Sequence, residues 1–233
     1  MKAVRVNEYG GPEALCSEEV EMPTPGSNEV LVKVAAAGVN YIDTYQRSGL
    51  YQVPLPTTLG LEAAGTVEEI GNSVSKYRIG DRVAYTSVAG AYAEYASVPE
   101  EKLVSLSDGV SFNEGAAAML QGCTAHYLCK STYHVKQGDS CLIHAAAGGV
   151  GLLLIQMVKN AGGYVIGTVS TEEKAKLAKE AGADEVILYS KDDFEAEVSR
   201  ITAGDGVNVV YDSVGKSTFE KSINCLSRLG FMV

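Results

Sequence analysis

The pattern of apolar and polar positions changes period near the middle of the chain. From Met1 to about Ser107, short runs with partial period-two alternation recur at Lys2–Val6, Glu29–Ala35, Ala63–Ile70, Arg82–Ser87 and Tyr92–Val98. They are rich in Val, Tyr and Thr, as half-buried antiparallel strands are. Pro23-x-Pro25-Gly26, Pro54-x-Pro56 and Gly80-Asp81 fall between the runs and break the chain there. The first half is expected to be a small, mostly β domain with one or two short helices.

Helical spacing takes over from about Ser111. Ser111-Phe112-Asn113-Glu114 has the form of a capping box, with Ser as N-cap and Glu at the third helical position. A helical region is expected from there to about Tyr133. Strands are then predicted at Cys141–Ala145, Tyr164–Val169, Glu185–Tyr189, Val207–Tyr211 and Gly230–Val233. Helices are predicted between them at Gly151–Ala161, Glu172–Ala181, Asp193–Thr202 and Thr218–Arg228. Such a βαβαβαβαβ run with short connections makes a parallel sheet with right-handed crossovers and helices on both faces. Gly151–Ala161 is apolar except for Gln156, Lys159 and Asn160, so it should be nearly buried. Glu172–Ala181 places Ala175, Ala178 and Ala181 on one face and Lys174, Lys176 and Lys179 on the other, which predicts a surface helix. The fold class is therefore α/β, with domains expected at residues 1–121 and 122–233.

Composition adds limits to this picture. The 233 residues are 46% hydrophobic and 21% charged, a length and balance that support a packed core without disulfide staples. The net charge of −10 works against non-specific binding to nucleic acid or anionic membrane. No Lys/Arg run offsets it, so RNA is not an expected partner. No apolar stretch approaches the ~20 residues of a membrane span. Cys16, Cys123, Cys129, Cys141 and Cys225 are scattered, with no CxxC, which fits reduced thiols in a cytoplasmic protein.

The strongest chemical signal is Cys141-Leu-Ile-His-Ala-Ala-Ala-Gly-Gly-Val-Gly151, an apolar strand entering a Gly-rich turn that opens a helix. Against the dinucleotide fingerprint GxGxxG, Ala146 takes the first Gly place, and Gly148 and Gly151 the second and third. Gly148 would let the backbone approach a pyrophosphate, and Gly151 would let helix and strand pack closely. Free N–H groups of Gly149 and Val150 at the helix start would meet the phosphates. The second strand ends Gly167-Thr168-Val169 and passes into Ser170-Thr171-Glu172-Glu173-Lys174. Hydroxyls followed by Lys174 favour the 2′-phosphate of NADP, whereas Glu172 or Glu173 turned inward would select NAD. Glu172 otherwise reads as a first-turn acid that complements the helix dipole and pairs with Lys176.

Gly138-Asp139-x-x-Leu142-x-x-x-Ala146-Ala147-Gly148-Gly149-x-Gly151-x-x-x-x-Gln156-x-x-Lys159 resembles the signature of the quinone oxidoreductase/zeta-crystallin group of the medium-chain dehydrogenase/reductase superfamily. The resemblance spans the chain. It includes Ala37–Tyr45, Arg47–Tyr51, Leu59–Gly65, Gly80–Val83 and Val209–Gly215. It implies a GroES-like β domain followed by a Rossmann domain, with NADPH in the cleft between them and quinones as acceptors. Asn40, Asp43, Tyr45 and Tyr51 would line the acceptor site. Gln121 and Thr124 would lie beside the nicotinamide, and Ser170, Lys174 and Tyr189 would hold the 2′-phosphate. Asp43 reads equally well as a brace for a short helix, and the tyrosines as surface packing. Cys123 has no cationic neighbour in sequence that would make it a reactive thiolate.

Zinc-dependent relatives carry a Cys where Asn40 stands, a His where Leu61 stands, and a four-Cys lobe that this chain lacks. His126, His134 and His144 have no ligand spacing with a Cys or another His, so a zinc-free protein is expected. Protein hydrogen bonds would then stabilise charge on the acceptor, which suits quinones and conjugated enones better than alcohols. No strong general acid stands out, which leaves the proton to solvent. An enone or enal reductase is the enzymatic alternative, and a non-catalytic NADPH-binding protein the alternative of another class. The resemblance further implies a Rossmann sheet incomplete at its C-terminus, a missing segment that returns to the β domain, and a homodimer in the full-length form. The last strand would then be an exposed edge.

Overall fold

The computed structural model describes residues 1–233, which divide into two compact units, Met1–Leu120 and Gln121–Val233. No helix is long and apolar enough to cross a membrane.

The first unit is built on antiparallel pairing. Strands β1 (Lys2–Val6), β2 (Leu15–Glu19) and β4 (Thr57–Thr58) make one sheet in the order β2-β1-β4. Strands β3 (Glu29–Ala37), β5 (Glu62–Ile70), β6 (Arg82–Thr86), β7 (Tyr95–Pro99) and β8 (Leu103–Ser105) make the other, in the order β7-β3-β5-β6-β8. Val30, Val32, Ala63, Val67, Val83, Tyr85 and Val98 interlock in its core, each fully or almost fully buried. Burying each such aliphatic side chain is worth about 1.5–3 kcal/mol.

Two differences from the sequence reading lie here. Tyr92 and Ala93 stand outside β7. Their backbone turns to the first sheet instead, with the Tyr92 carbonyl accepting from Val4 N (2.8 Å) and Ala93 bridging to Ala3. Strands β4 and β8, of two and three residues, carried too few alternating positions to be read, and β2 is too polar and exposed to show an alternation. Helix α1 (Tyr41–Ser48) follows β3 and ends at Gly49, whose φ of 80° gives it a left-handed cap.

Helix α2 (Phe112–Tyr127) begins with the expected reciprocal cap. Glu114 N donates to Ser111 Oγ (3.2 Å), and Ser111 N donates to Glu114 Oε2 (2.8 Å). A wider π turn, Leu128–Thr132, closes it.

The second unit then alternates β9 (Ser140–Ile143), α3 (Gly149–Asn160), β10 (Tyr164–Val169), α4 (Glu172–Glu180), β11 (Glu185–Leu188), α5 (Phe194–Ile201), β12 (Val207–Tyr211), α6 (Phe219–Asn224) and β13 (Leu226–Met232). All pairs are parallel, in the order β11-β10-β9-β12-β13. Alternate strand residues divide between two cores. Cys141, Ile143, Val165 and Val169 pack with Leu154, Ile155 and Val158 of α3 and Ala178 of α4. Leu142 and Ile166 pack on the opposite face with Phe194 and Val198 of α5 and with Cys225. This doubly wound arrangement buries α3 except at positions such as Gln156 and Asn160, and leaves Lys174, Lys176 and Lys179 outside.

The predicted helix Thr218–Arg228 is shorter in the structure. Helix α6 stops at Asn224 because Val207 N takes the Cys225 carbonyl (2.8 Å), which draws Leu226 into β13. Residues 227–230 then bulge out before Phe231 rejoins opposite Val209, and Leu229 takes a positive φ of 66° within the bulge.

Candidate functional site

Ligands of doubly wound sheets bind at the carboxyl ends of the strands, where the order reverses. Here that point is the end of β9, flanked by β10 and β12. The left-handed residue of the turn is Ala145, at φ 49°. Leu152 N is the first amide of α3 bonded back, to the Gly148 carbonyl at 2.9 Å. The N–H groups of Gly149, Val150 and Gly151 are left without a partner in the chain, at the positive end of the helix dipole. Gly151 is buried, and a Cβ there would lie 2.6 Å from the carbonyl oxygens of both Ala145 and Ala146. A Cβ on Gly149 would overlap the side-chain amide of Gln121, so Gln121 lies directly over the start of α3. Thr124 lies one turn further along α2 and is partly exposed.

The end of β10 gathers the residues expected at a 2′-phosphate. Lys174 Nζ donates to Ser170 Oγ (3.3 Å), and Thr171 caps α4 by accepting from Lys174 N (3.3 Å). Tyr189 emerges at the end of neighbouring β11, its N–H on the Val169 carbonyl (3.1 Å) and its side chain more than half exposed. The expected Glu172–Lys176 pair does not form. Glu172 instead accepts from Lys191 (2.7 Å), which reaches it from the turn after β11, and Lys176 faces Glu180 one turn on (3.8 Å). Glu172 is thereby held by a cation across the surface.

A second cluster surrounds α1. Asp43 is buried, and its Oδ2 accepts from Asn40 N (2.8 Å) and from the Tyr92 hydroxyl (2.7 Å). Its carboxylate therefore caps α1 and braces the Tyr92 segment, while its other oxygen has no partner. Burial, with Asp43 close by, pushes the Tyr92 phenol well above its ordinary range. Asn40 Nδ2 donates to Glu62 Oε1 (2.7 Å), and Glu62 Oε2 takes the N–H of Leu120 in α2 (2.6 Å). Glu62 is fully buried, with one amide N–H on each of its oxygens. The sequence offered no partner for Glu62, because Asn40 and Leu120 lie 22 and 58 positions away. Tyr45 and Tyr51 meet edge to face at 5.4 Å. Tyr41, which the sequence did not single out, stacks on Tyr45 at 6.4 Å and is 81% exposed. No group of three His, Cys, Asp or Glu side chains converges to hold a metal ion.

Below the Gly-rich turn, His144 is buried between the Thr168 and Ser222 hydroxyls. Burial holds its pKa below the ordinary value, with Asp212 opposing the shift, so the folded protein keeps a neutral imidazole. Below pH ~6.5 the unfolded chain gains a proton that the folded state resists. Stability is expected to be flat above that point and to fall as pH drops from it toward the lower folded value. Denaturant midpoints measured at pH 8 and pH 5.5 check this, and His144→Gln should remove its share of the difference.

Residues 26–108 match the alcohol dehydrogenase GroES-like domain model, and residues 149–233 match the zinc-binding dehydrogenase model. The quinone oxidoreductase of Pseudomonas aeruginosa is 48% identical over 234 residues, covering 100% of this chain and 72% of that protein. A 2-haloacrylate reductase of a Burkholderia species is 43% identical, covering 98% of this chain and 71% of that protein. The crystal structure of Escherichia coli quinone oxidoreductase complexed with NADPH superposes with a TM-score of 0.97 at 44% identity, covering 100% of this chain and 72% of that one. The fold and the two family matches define an oxidoreductase of the medium-chain dehydrogenase/reductase type. Within that class, the chain belongs to the quinone oxidoreductase family.

Proposed function

We propose that this chain catalyses NADPH-dependent reduction of quinones without a zinc ion. The observation that carries the reading is the carboxyl edge of the second unit. Unpartnered N–H groups at the start of α3 stand beside a second strand that ends in Ser170 and Lys174. Backbone N–H groups at a helix start suit a pyrophosphate, and a hydroxyl–ammonium pair suits a 2′-phosphate. NADPH, when bound there, supplies the hydride.

The chain's own residues bind and orient. Gly149, Val150 and Gly151 hold the pyrophosphate through backbone N–H, and Gly148 and Ala146 keep the backbone low beneath it. Ser170, Lys174 and Tyr189 hold the 2′-phosphate, and Gln121 and Thr124 border the nicotinamide. Asn40 is the donor to the acceptor oxygen, because one Nδ2 hydrogen is fixed on Glu62 and the second has no protein partner. A donor aimed where negative charge develops lowers the barrier for an electron-poor carbonyl. Tyr45 and Tyr51 offer stacking faces and hydroxyls to a flat acceptor. Asp43 acts through Asn40 and α1, as a positioning group. With Asn40 and Leu61 where zinc relatives carry Cys and His, the chemistry falls to these hydrogen bonds.

NADPH oxidation followed at 340 nm with a panel of quinones is expected to be clearly faster with the protein than without it, and equal rates would end the proposal. The likeness to a 2-haloacrylate reductase favours a second reading, in which the acceptor is a conjugated alkene. Turnover of a quinone compared with that of an α,β-unsaturated acid or aldehyde separates the two. Lys174→Ala is expected to weaken NADPH roughly 10- to 100-fold, the worth of a hydrogen bond to a charged group. NADH should change little. Equal losses for both, measured by calorimetry, would remove the 2′-phosphate role.

A further inference from the structure

Three buried side chains and the half-buried Asp212 form a continuous relay beneath the carboxyl edge of the second unit. His144 follows β9, Thr168 lies in β10, Asp212 follows β12 and Ser222 lies in α6. His144 Nδ1 is 2.8 Å from Thr168 Oγ1, and Nε2 is 2.9 Å from Ser222 Oγ. Ser222 Oγ in turn donates to Asp212 Oδ2 (3.1 Å). The same oxygen accepts from Thr218 Oγ1 (2.7 Å), while Oδ1 accepts the N–H groups of Val214 (2.8 Å) and Gly215 (2.9 Å). Asp212 is therefore an acceptor on every side, and these hydrogen bonds keep its pKa below the usual value despite burial.

That environment fixes where the protons sit. The single Ser222 hydrogen points to Asp212, so the Ser222 oxygen must accept from His144, which places the imidazole proton on Nε2. A neutral ring then presents a bare Nδ1, to which Thr168 donates. Backbone bonds fasten both ends: His144 N donates to the Tyr211 carbonyl (3.0 Å) and Ala146 N to the Thr168 carbonyl (3.1 Å). Between those two anchors lies Ala145, held in the left-handed region at φ 49°, a conformation that a side chain disfavours. Phe194 closes the remaining side of the ring edge to face, at 4.9 Å.

We propose that His144 is a positioning residue for dinucleotide binding: as the Nε2–H tautomer it ties the Gly-rich turn after β9 to the Asp212–Thr218 turn after β12, so that the two carboxyl-edge loops are held as one preformed surface. This rests on the reading of that turn as the NADPH pyrophosphate site. Preorganisation of this kind acts on affinity more than on the reacting centre.

The test compares His144→Leu, His144→Gln, Thr168→Val and Ser222→Ala with the unaltered protein. NADPH binding is titrated calorimetrically, unfolding is followed in urea, and steady-state KM and kcat are determined. His144→Leu is expected to raise the NADPH Kd about tenfold or more and Ser222→Ala several-fold, with kcat at saturating NADPH within about twofold. His144→Gln keeps a donor for Ser222 and an acceptor for Thr168, and should recover part of the affinity. A long-range 15N–1H spectrum of the imidazole should show the proton on Nε2. If His144→Leu does not fold, the two hydroxyl variants decide the matter. Folded variants that bind NADPH as the unaltered protein does, or a proton found on Nδ1, would overturn the proposal. Failure of the unaltered protein to bind NADPH would instead overturn the reading of the turn.

Discussion

Gly151→Ala is expected to abolish measurable NADPH binding and to lower stability by about 1–3 kcal/mol, the cost of forcing a methyl group into a packed backbone contact. The added Cβ would stand 2.6 Å from two carbonyl oxygens and 2.8 Å from the carbonyl carbon of Ala146. These are main-chain atoms of the turn itself, so no side-chain rotation relieves the overlap. Helix α3 must back away from β9, which carries its free N–H groups off the position proposed for the pyrophosphate, and a shift of about 1 Å can cost roughly 100-fold in a preformed site. Gly149→Ala is the informative comparison, because its Cβ meets only the movable end of Gln121. It should spare stability and weaken the cofactor moderately. Thermal melting and calorimetric titration of both variants check the pair. Unchanged NADPH affinity in Gly151→Ala would mean that the turn does not hold the pyrophosphate.

Glu62→Gln is expected to lower acceptor turnover roughly 10- to 100-fold, although the side chain is isosteric. Each carboxylate oxygen of Glu62 accepts one N–H, from Asn40 Nδ2 (2.7 Å) and from Leu120 (2.6 Å). An amide can accept at only one of these places and points its own N–H₂ at the other donor. Asn40 then rotates, and the hydrogen proposed for the acceptor oxygen loses its aim. The residue cannot shift to adapt, because it is fully buried and Gly38 lies against it so closely that a Cβ there would overlap Glu62 Oε1. NADPH affinity, proposed to depend on the second unit's turn, should change by less than about threefold, since the two hydrogen bonds of Glu62 go to Asn40 and Leu120 and not to that turn. Steady-state kinetics beside a binding titration separate the effects. Full turnover in Glu62→Gln would remove Glu62, and the orientation of Asn40, from the account.

The parallel half of the fold was legible because each of its elements has a local cause. The capping pair Ser111–Glu114 starts α2, and the apolar surround of Gly151–Ala161 marks α3 as a buried crossover helix. Gly162, Gly182 and Gly204 separate α3, α4 and α5 from the strands that follow them. The end of α6 was not legible, since Cys225–Arg228 satisfies helical spacing as well as strand spacing. Val207 decides it by taking the Cys225 carbonyl. Strands β4 and β8 have the same origin, because strands of two and three residues exist only through partners remote in sequence.

The site divides in the same way. Ser170, Lys174 and the glycines of the turn lie within one βαβ unit, so spacing along the chain placed them, and the structure brings Ser170 and Lys174 to 3.3 Å. Gln121 over Gly149, Asp43 against Tyr92, and the Glu62–Asn40 pair join residues 22 to 49 positions apart, where local pattern carries no signal. The amino-acid order by itself determined the two kinds of sheet, the helices that cover the parallel one, and the turn that can meet a phosphate, because periodicity and glycine sterics act between near neighbours. Only the tertiary structure decided that Asp43 is a buried cap, that Glu172 pairs with Lys191, and that His144 lies in a relay reaching Asp212. Hydrogen-bond partners of buried polar groups are chosen by which strands end side by side, and that choice belongs to the whole sheet.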